Sequence, residues 1–350
     1  MQQAAIPGNE KLADVNHLPI PEVPAVHHAY REGRGLRAEQ GAAPTNNKDW
    51  RDATVSPNWY RDRQARERCD YYIAKALDQA ARGDAVESCR LFGLVRELCQ
   101  TQDLSDEGKL LIELELSAAE GYLDYCCGDF DLARTRLMES MRAGQELEDR
   151  FHHHGIHFHR IHLINNMAKL EGRAGHLDRA MNLIATTILY VQRKPVEVPF
   201  PGTWGPELVA RLFLGGLQFL TTQAAIETAT LFIPLEPARL LHALRILTSR
   251  VDIHECHETW RPETLEWLQL KALSLGKEPR QYLRRCISYF AAGPRHSPLL
   301  WQLTAVDAAH LCRRIDPVSA TAFSNDVLAD IGALKPLRRH MEVLMARLQG

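Results

Sequence analysis

Residues 156–190 read IHFHRIHLINNMAKLEGRAGHLDRAMNLIATTILY. Wound at about 100° per residue, Ile161, Leu163, Ile164, Met167, Ala168 and Leu170 fall on one broad side, and His162, Asn165, Asn166, Lys169 and Arg173 fall on the other. Past Ala174-Gly175-His176, the residues Leu177, Ala180, Met181, Ile184 and Ile188 recur at steps of three and four, so a second helix also has an apolar face to bury. A turn this short leaves the two helices antiparallel, and each supplies the surface the other needs.

The same unit appears twice upstream when Gly83, Gly128 and Gly175 are aligned, at intervals of 45 and 47 residues. Seven residues before each glycine is a small residue (Ala76, Gly121, Ala168), and five after it another (Ser88, Ala133, Ala180). Nine after it comes a bulky apolar one, Phe92, Leu137 or Ile184. Small residues at these places let two helices approach closely, and the large one fills the space towards the next pair. Glycine at the turn accepts backbone angles that side chains resist.

With these offsets the chain resembles the tetratricopeptide repeat (TPR) family over about residues 69–193, with a further echo at Gly276. The spacing is longer than the family's usual length of roughly 34 residues, and its consensus tryptophan and terminal proline are missing. The resemblance implies an all-α chain of antiparallel helix-pair repeats, a TPR-like α-solenoid or superhelix. It also implies a scaffold or regulatory adaptor, without catalysis of its own, that holds a peptide or partner protein in a groove lined by the first helix of each pair. Groove positions would include Glu115, Ala118, Tyr122 and Tyr125 from the second repeat and His162, Asn165, Lys169 and Arg173 from the third. Asparagine can bond a peptide backbone, and the two cations suit an acidic group on the partner. The Lys169/Arg173 spacing is similar to the cationic part of the carboxylate clamp of some TPR proteins, although the first repeat lacks the matching lysine–asparagine pair. A merely solvated helix face is the competing account of this stripe.

Around the repeats the sequence divides into four parts. Residues 1–60 are rich in proline, glycine and polar residues and carry little helical period. The run His17-Leu18-Pro19-Ile20-Pro21-Glu22-Val23-Pro24 favours an extended path, either a disordered tail or a strap along the helical body. Trp50, Trp59 and Tyr60 favour the strap, since large aromatics need a surface to cover. Residues 61–193 hold the helix pairs, with Asp84 and Asp129 placed to cap second helices. Residues 194–206, within RKPVEVPFPGTWGP, stop helix formation. Residues 207–350 resume it less regularly, over 207–232, 236–251, 262–275, 278–292, 299–314, 317–330 and 336–348, several of these starting on proline.

The 350 residues, 45% hydrophobic and 25% charged, can bury a sizeable core. A net charge of −2 argues against a surface dominated by nucleic-acid phosphates. The arginines and aromatics between Arg51 and Arg68 are diluted by Asp52, Asp62 and Glu67, which weakens a nucleic-acid reading there too. No apolar run reaches membrane-spanning length; Leu212–Leu220 reads as a buried helix. No secretory signal pattern opens the chain, and the eight cysteines form no CxxC pair, so reduced thiols in a cytoplasmic protein are expected.

The rival function is a metal-dependent enzyme or metal-binding protein. Six histidines fall in the eleven residues 152–162, and His159/His162 or His153/His157 have the spacing at which one helix can share an ion such as zinc or iron. A second candidate set is His254, Cys256 and His257, with His254 and Glu258 on one helical face. It is not the zinc-protease motif, because its second histidine comes one residue too soon. No GxSxG, Walker-type loop or dinucleotide fingerprint is present. Assembly into a homo-oligomer is a third reading.

Overall fold

The structure, a computed structural model, describes residues 21–36, 58–276, 278–295, 297–332 and 340–349. Among the described residues there are fifteen helices and no strands. In chain order they are α1 (Glu22–Leu36), α2 (Asn58–Arg82), α3 (Ala85–Thr101), α4 (Asp106–Cys127), α5 (Phe130–Phe151), α6 (Ile156–Arg173), α7 (Leu177–Val191), α8 (Pro206–Val209), α9 (Leu214–Phe232), α10 (Pro237–Arg250), α11 (Pro262–Ser274), α12 (Pro279–Ala291), α13 (Pro298–Ile315), α14 (Pro317–Gly332) and α15 (Met341–Gln349).

The three hairpins α2–α3, α4–α5 and α6–α7 form for the reasons their sequences give. Gly83, Gly128 and Gly175 adopt φ of 87°, 86° and 92°, the left-handed turn that ends each first helix. Asp84 and Asp129 accept hydrogen bonds from Glu87 N (3.1 Å) and Leu132 N (3.0 Å), satisfying amides at the starts of α3 and α5. The small residues meet across each pair. Ser88 Oγ donates to Ala76 O at 3.0 Å, a Cβ on Gly121 would lie 3.3 Å from Ala133 O, and Ala168 and Ala180 are wholly buried. Phe92, Leu137 and Ile184 are buried beside them. Gly276 does not share the left-handed turn, so the expected echo of the repeat there is not matched.

The second half departs from the expected helices at one informative place. A single helix was expected over 207–232, but α8 stops at Val209 and α9 begins at Leu214. Phe213 is extended there, and its ring closes over Gly216, where a Cβ would come 2.9 Å from the ring. The break re-aims the chain, so α9 runs back across α6 and α7 and packs further on α11 and α13. The remaining expected helices match α10 to α14 to within about two residues. The last, expected over 336–348, is described only from 340, and residues 333–339 lie outside the described residues.

Residues 22–36 correct the extended path expected for the N-terminal 60. Pro24 sits in the first turn of α1, where its missing N–H costs nothing. Val23, Val26, Ala29 and Tyr30 share the helix face that is buried. Prolines in HLPIPEVP mask that period in the sequence. Residues 1–20 and 37–57, including Trp50, lie outside the described residues, as do the side chains of Trp59 and Tyr60.

α1 packs against α12, α13 and α14, far along the chain. Tyr30 stacks on Trp301 (centroids 4.6 Å apart, planes at 17°) and its hydroxyl donates to Asp330 Oδ2 at 2.6 Å. Gly33 lets the two backbones touch: a Cβ there would lie 1.9 Å from Phe290 O. Arg34–Asp330 (2.8 Å), His27–Asp326 (2.9 Å) and Glu22–Arg284 (3.0 Å) ring this contact. One large apolar core joins α1 to α5–α7 and α9–α15, while α2, α3 and α4 share a smaller one. Among the described residues no helix is long and apolar enough to cross a membrane.

Candidate functional site

The polar stripe expected along the first helices splits in two. Tyr122 and Tyr125, on the last turns of α4, lie with ring centroids 6.2 Å apart. From the end of α6, Lys169 Nζ and Arg173 Cζ lie 5.8 Å and 5.4 Å from the centroid of the Tyr125 ring. Both distances are within the reach of a cation–π attraction. Arg173 is exposed, and Tyr122, Tyr125, Lys169, Glu115 and Ala118 are partly exposed, so a ligand has access to this cluster. Lys169 is also 3.5 Å from Glu227 Oε1 on α9, which neutralises part of its charge.

His162 and Asn165, expected in the same groove, are instead held against α9. Asn165 is fully buried, and its Nδ2 donates to Leu220 O at 3.3 Å. The His162 ring lies 6.3 Å from that of Phe219, and its Nδ1 has no hydrogen-bond partner. Burial, reinforced by the Lys169 charge, holds the His162 pKa down to about 4, so the ring is neutral at neutral pH. α9, which begins after the break at residues 210–213, is the element that covers this part of α6.

The histidine run 152–162 is distributed among different partners. His152 takes the left-handed position (φ 57°) that ends α5. His153 is buried and hydrogen-bonded to Glu107. His154 accepts from Arg211 Nη1 at 3.1 Å. His157 is buried between Glu148 Oε1 (3.1 Å from Nδ1) and the Tyr190 hydroxyl (2.8 Å from Nε2). His159 and His162 have ring centroids 6.5 Å apart. His153 and His157, expected to share an ion, therefore face separate carboxylates. Residues 254–258 are not helical, which removes the shared face expected for His254 and Glu258; His254 and Cys256 are exposed, and His257 Nδ1 lies 3.0 Å from Thr259 Oγ1. Among the described residues no three His, Cys, Asp or Glu side chains are placed to hold a metal ion.

A buried polar network escaped sequence reasoning. Arg160 is fully buried, hydrogen-bonds to Glu148, donates to Pro201 O at 2.9 Å and lies 4.2 Å above the Trp204 ring. Tyr190 Oη accepts from Gly205 N at 3.1 Å, and burial pushes its pKa up to about 12. Together these groups hold the proline-rich connection 194–206 against α6 and α7. Glu171, also fully buried, is a second such centre: burial raises its pKa, but hydrogen bonds from Arg134 and His176 outweigh that and hold it below the ordinary carboxylate value. The available signal was Arg160 directly beside the apolar stripe of α6, a charge that must be answered wherever it is buried.

Comparison of the chain with protein-family models, with curated proteins and with solved structures found no match in any of the three.

Proposed function

We propose that this chain is a TPR-like helical-repeat scaffold or adaptor of the cytoplasm, which holds a peptide or partner protein by an acidic group and does no catalysis of its own. The contact would be made by Tyr122, Tyr125, Lys169 and Arg173. The observation that carries this reading is the placing of two cationic side chains, Lys169 and Arg173, over one partly exposed ring, Tyr125. Two like charges on a merely solvated face would spread apart, whereas here both converge on the ring and leave Arg173 open to solvent. A carboxylate seated between them would gain charge-assisted hydrogen bonds. The repeat spacing and turn geometry of the three hairpins support the TPR-like description, and the eight free thiols suit a reducing compartment.

The test is fluorescence polarisation with short peptides, half of them ending in Asp or Glu and half in the corresponding amides. Acidic peptides should bind the wild-type chain, and Arg173→Glu should weaken them at least tenfold while leaving the thermal melt unchanged. Equal binding of both peptide sets, or retention by the variant, would sink the proposal. Arg173 is the cleaner site to reverse, because Lys169→Glu would also set a carboxylate against Glu227.

A further inference from the structure

All eight cysteines are free thiols, but two are brought together by the register of the first hairpin. The Ser88–Ala76 contact fixes where α2 and α3 cross. From it Cys69 lies seven residues back along α2 and Cys99 eleven onward along α3, an axial offset of four residues, about 6 Å. Side chains on a helix lean towards its N-terminus, so Cys69 leans away from the turn and Cys99 back towards it, which closes the offset. Both thiols pack in one apolar cluster with Ile73, Val95 and Leu98, and each shifts the titration of the other across the hairpin.

The two are unequal in a useful way. Cys69 is fully buried, whereas Cys99 is only half-buried. The Cys99 thiol beside it, together with burial, pushes the Cys69 thiol up, while Cys69 holds the Cys99 thiol below its ordinary value against a smaller effect of burial. The thiol that solvent reaches is thus the one more readily ionised, and the thiol behind it is protected until needed. Elsewhere, Cys286 and Cys312 are both buried, and burial pushes the exposed Cys127 up.

We propose that Cys69 and Cys99 form a reversible dithiol–disulfide pair, with Cys99 the attacking and Cys69 the resolving thiol, and a small disulfide such as oxidised glutathione as the oxidant. Cys99 loses its proton and its sulfur attacks one glutathione sulfur; the glutathione disulfide breaks, a Cys99–glutathione bond forms, and the departing thiolate takes a proton. Cys69 then attacks the Cys99 sulfur, forming the Cys69–Cys99 bond and releasing the second glutathione, which takes up the Cys69 proton. Two protein thiols are oxidised and one glutathione disulfide is reduced to two thiols, so atoms and electrons balance. The product joins the two helices of the first hairpin covalently.

The test holds the full chain in buffers of rising oxidised-to-reduced glutathione ratio, quenches with an alkylating agent in denaturant, so that buried thiols are also reached, and maps the peptides by mass. The expected result is loss of two of the eight alkylatable thiols, recovered as one Cys69–Cys99 cross-linked peptide and restored by dithiothreitol. Cys69→Ser should accumulate Cys99–glutathione instead, and Cys99→Ser should leave Cys69 alkylatable only after unfolding. Separate alkylation of both residues at the most oxidising ratio, or a cross-link from Cys99 to a different cysteine, overturns the proposal. So does failure of Cys69→Ser to accumulate the mixed disulfide, once circular dichroism shows that the variant is folded.

Discussion

Arg160 has 0% exposure and depends on Glu148 and on backbone carbonyls of the connection to balance its charge. Replacing it with methionine leaves Glu148 short of its cation, which should destabilise the chain by about 3–5 kcal/mol in urea unfolding. A Glu148→Gln/Arg160→Met pair should recover part of that loss; no recovery would mean that packing on Trp204, and not the charge, dominates. His162 gives a prediction in pH. The folded chain protonates it only near pH 4, whereas an unfolded chain does so near its ordinary 6.5. Between these values the unfolded state binds more protons, so stability must fall as pH drops from about 6.5 towards 4. In His162→Phe the fall of unfolding free energy across that window should be shallower; an unaltered slope would assign it to carboxylates such as Glu171. Individual residues were only partly legible in the sequence. Tyr122, Tyr125, Lys169 and Arg173 stand together on the first helices, where the repeat resemblance had set them, but the fates of His162 and Asn165 depended on α9, some fifty residues away, and helical periodicity carries no information at that range.

At the scale of the element, two glycines do different work and should respond differently to alanine. Gly128 ends α4 at φ 86°, where an added Cβ would meet nothing within 4 Å, so the penalty of Gly128→Ala is conformational, about 1–2 kcal/mol. Gly33 lies in the last turn of α1, where the fault would be contact: a Cβ 1.9 Å from Phe290 O forces the two backbones apart. Gly33→Ala should therefore raise amide hydrogen exchange across 22–36 and 279–291 together, and Gly128→Ala only around its own turn. Matching exchange changes in the two variants would refute the distinction. The hairpins were legible because every determinant of them lies within about fifteen residues of a turn. The break at Phe213 was not, since leucine, phenylalanine and glycine there are compatible with a continuing buried helix until the ring is seen packing on Gly216 and Phe158. α1 was missed for a related reason: prolines that open a helix look in sequence like prolines that forbid one.

For the whole molecule, the clearest fact is that α1 makes its main contacts with the second half and not with the repeats that follow it. A chain beginning at residue 58 should therefore lose hydrogen-exchange protection in α12, α13 and α14, while α2 to α5 keep theirs. Uniform loss throughout would show a single cooperative unit in place of two differently supported regions. The same contact sets an order of events during synthesis. Arg284 emerges 262 residues after Glu22, its partner, which at translation rates of about 5–20 residues per second is a wait of roughly 13–50 s. The first of these helices to leave the ribosome is among the last to find its place. Until then Val23, Val26 and Tyr30 have no surface to cover them, so the half-made chain, more than the finished protein, is the form that a chaperone would need to protect.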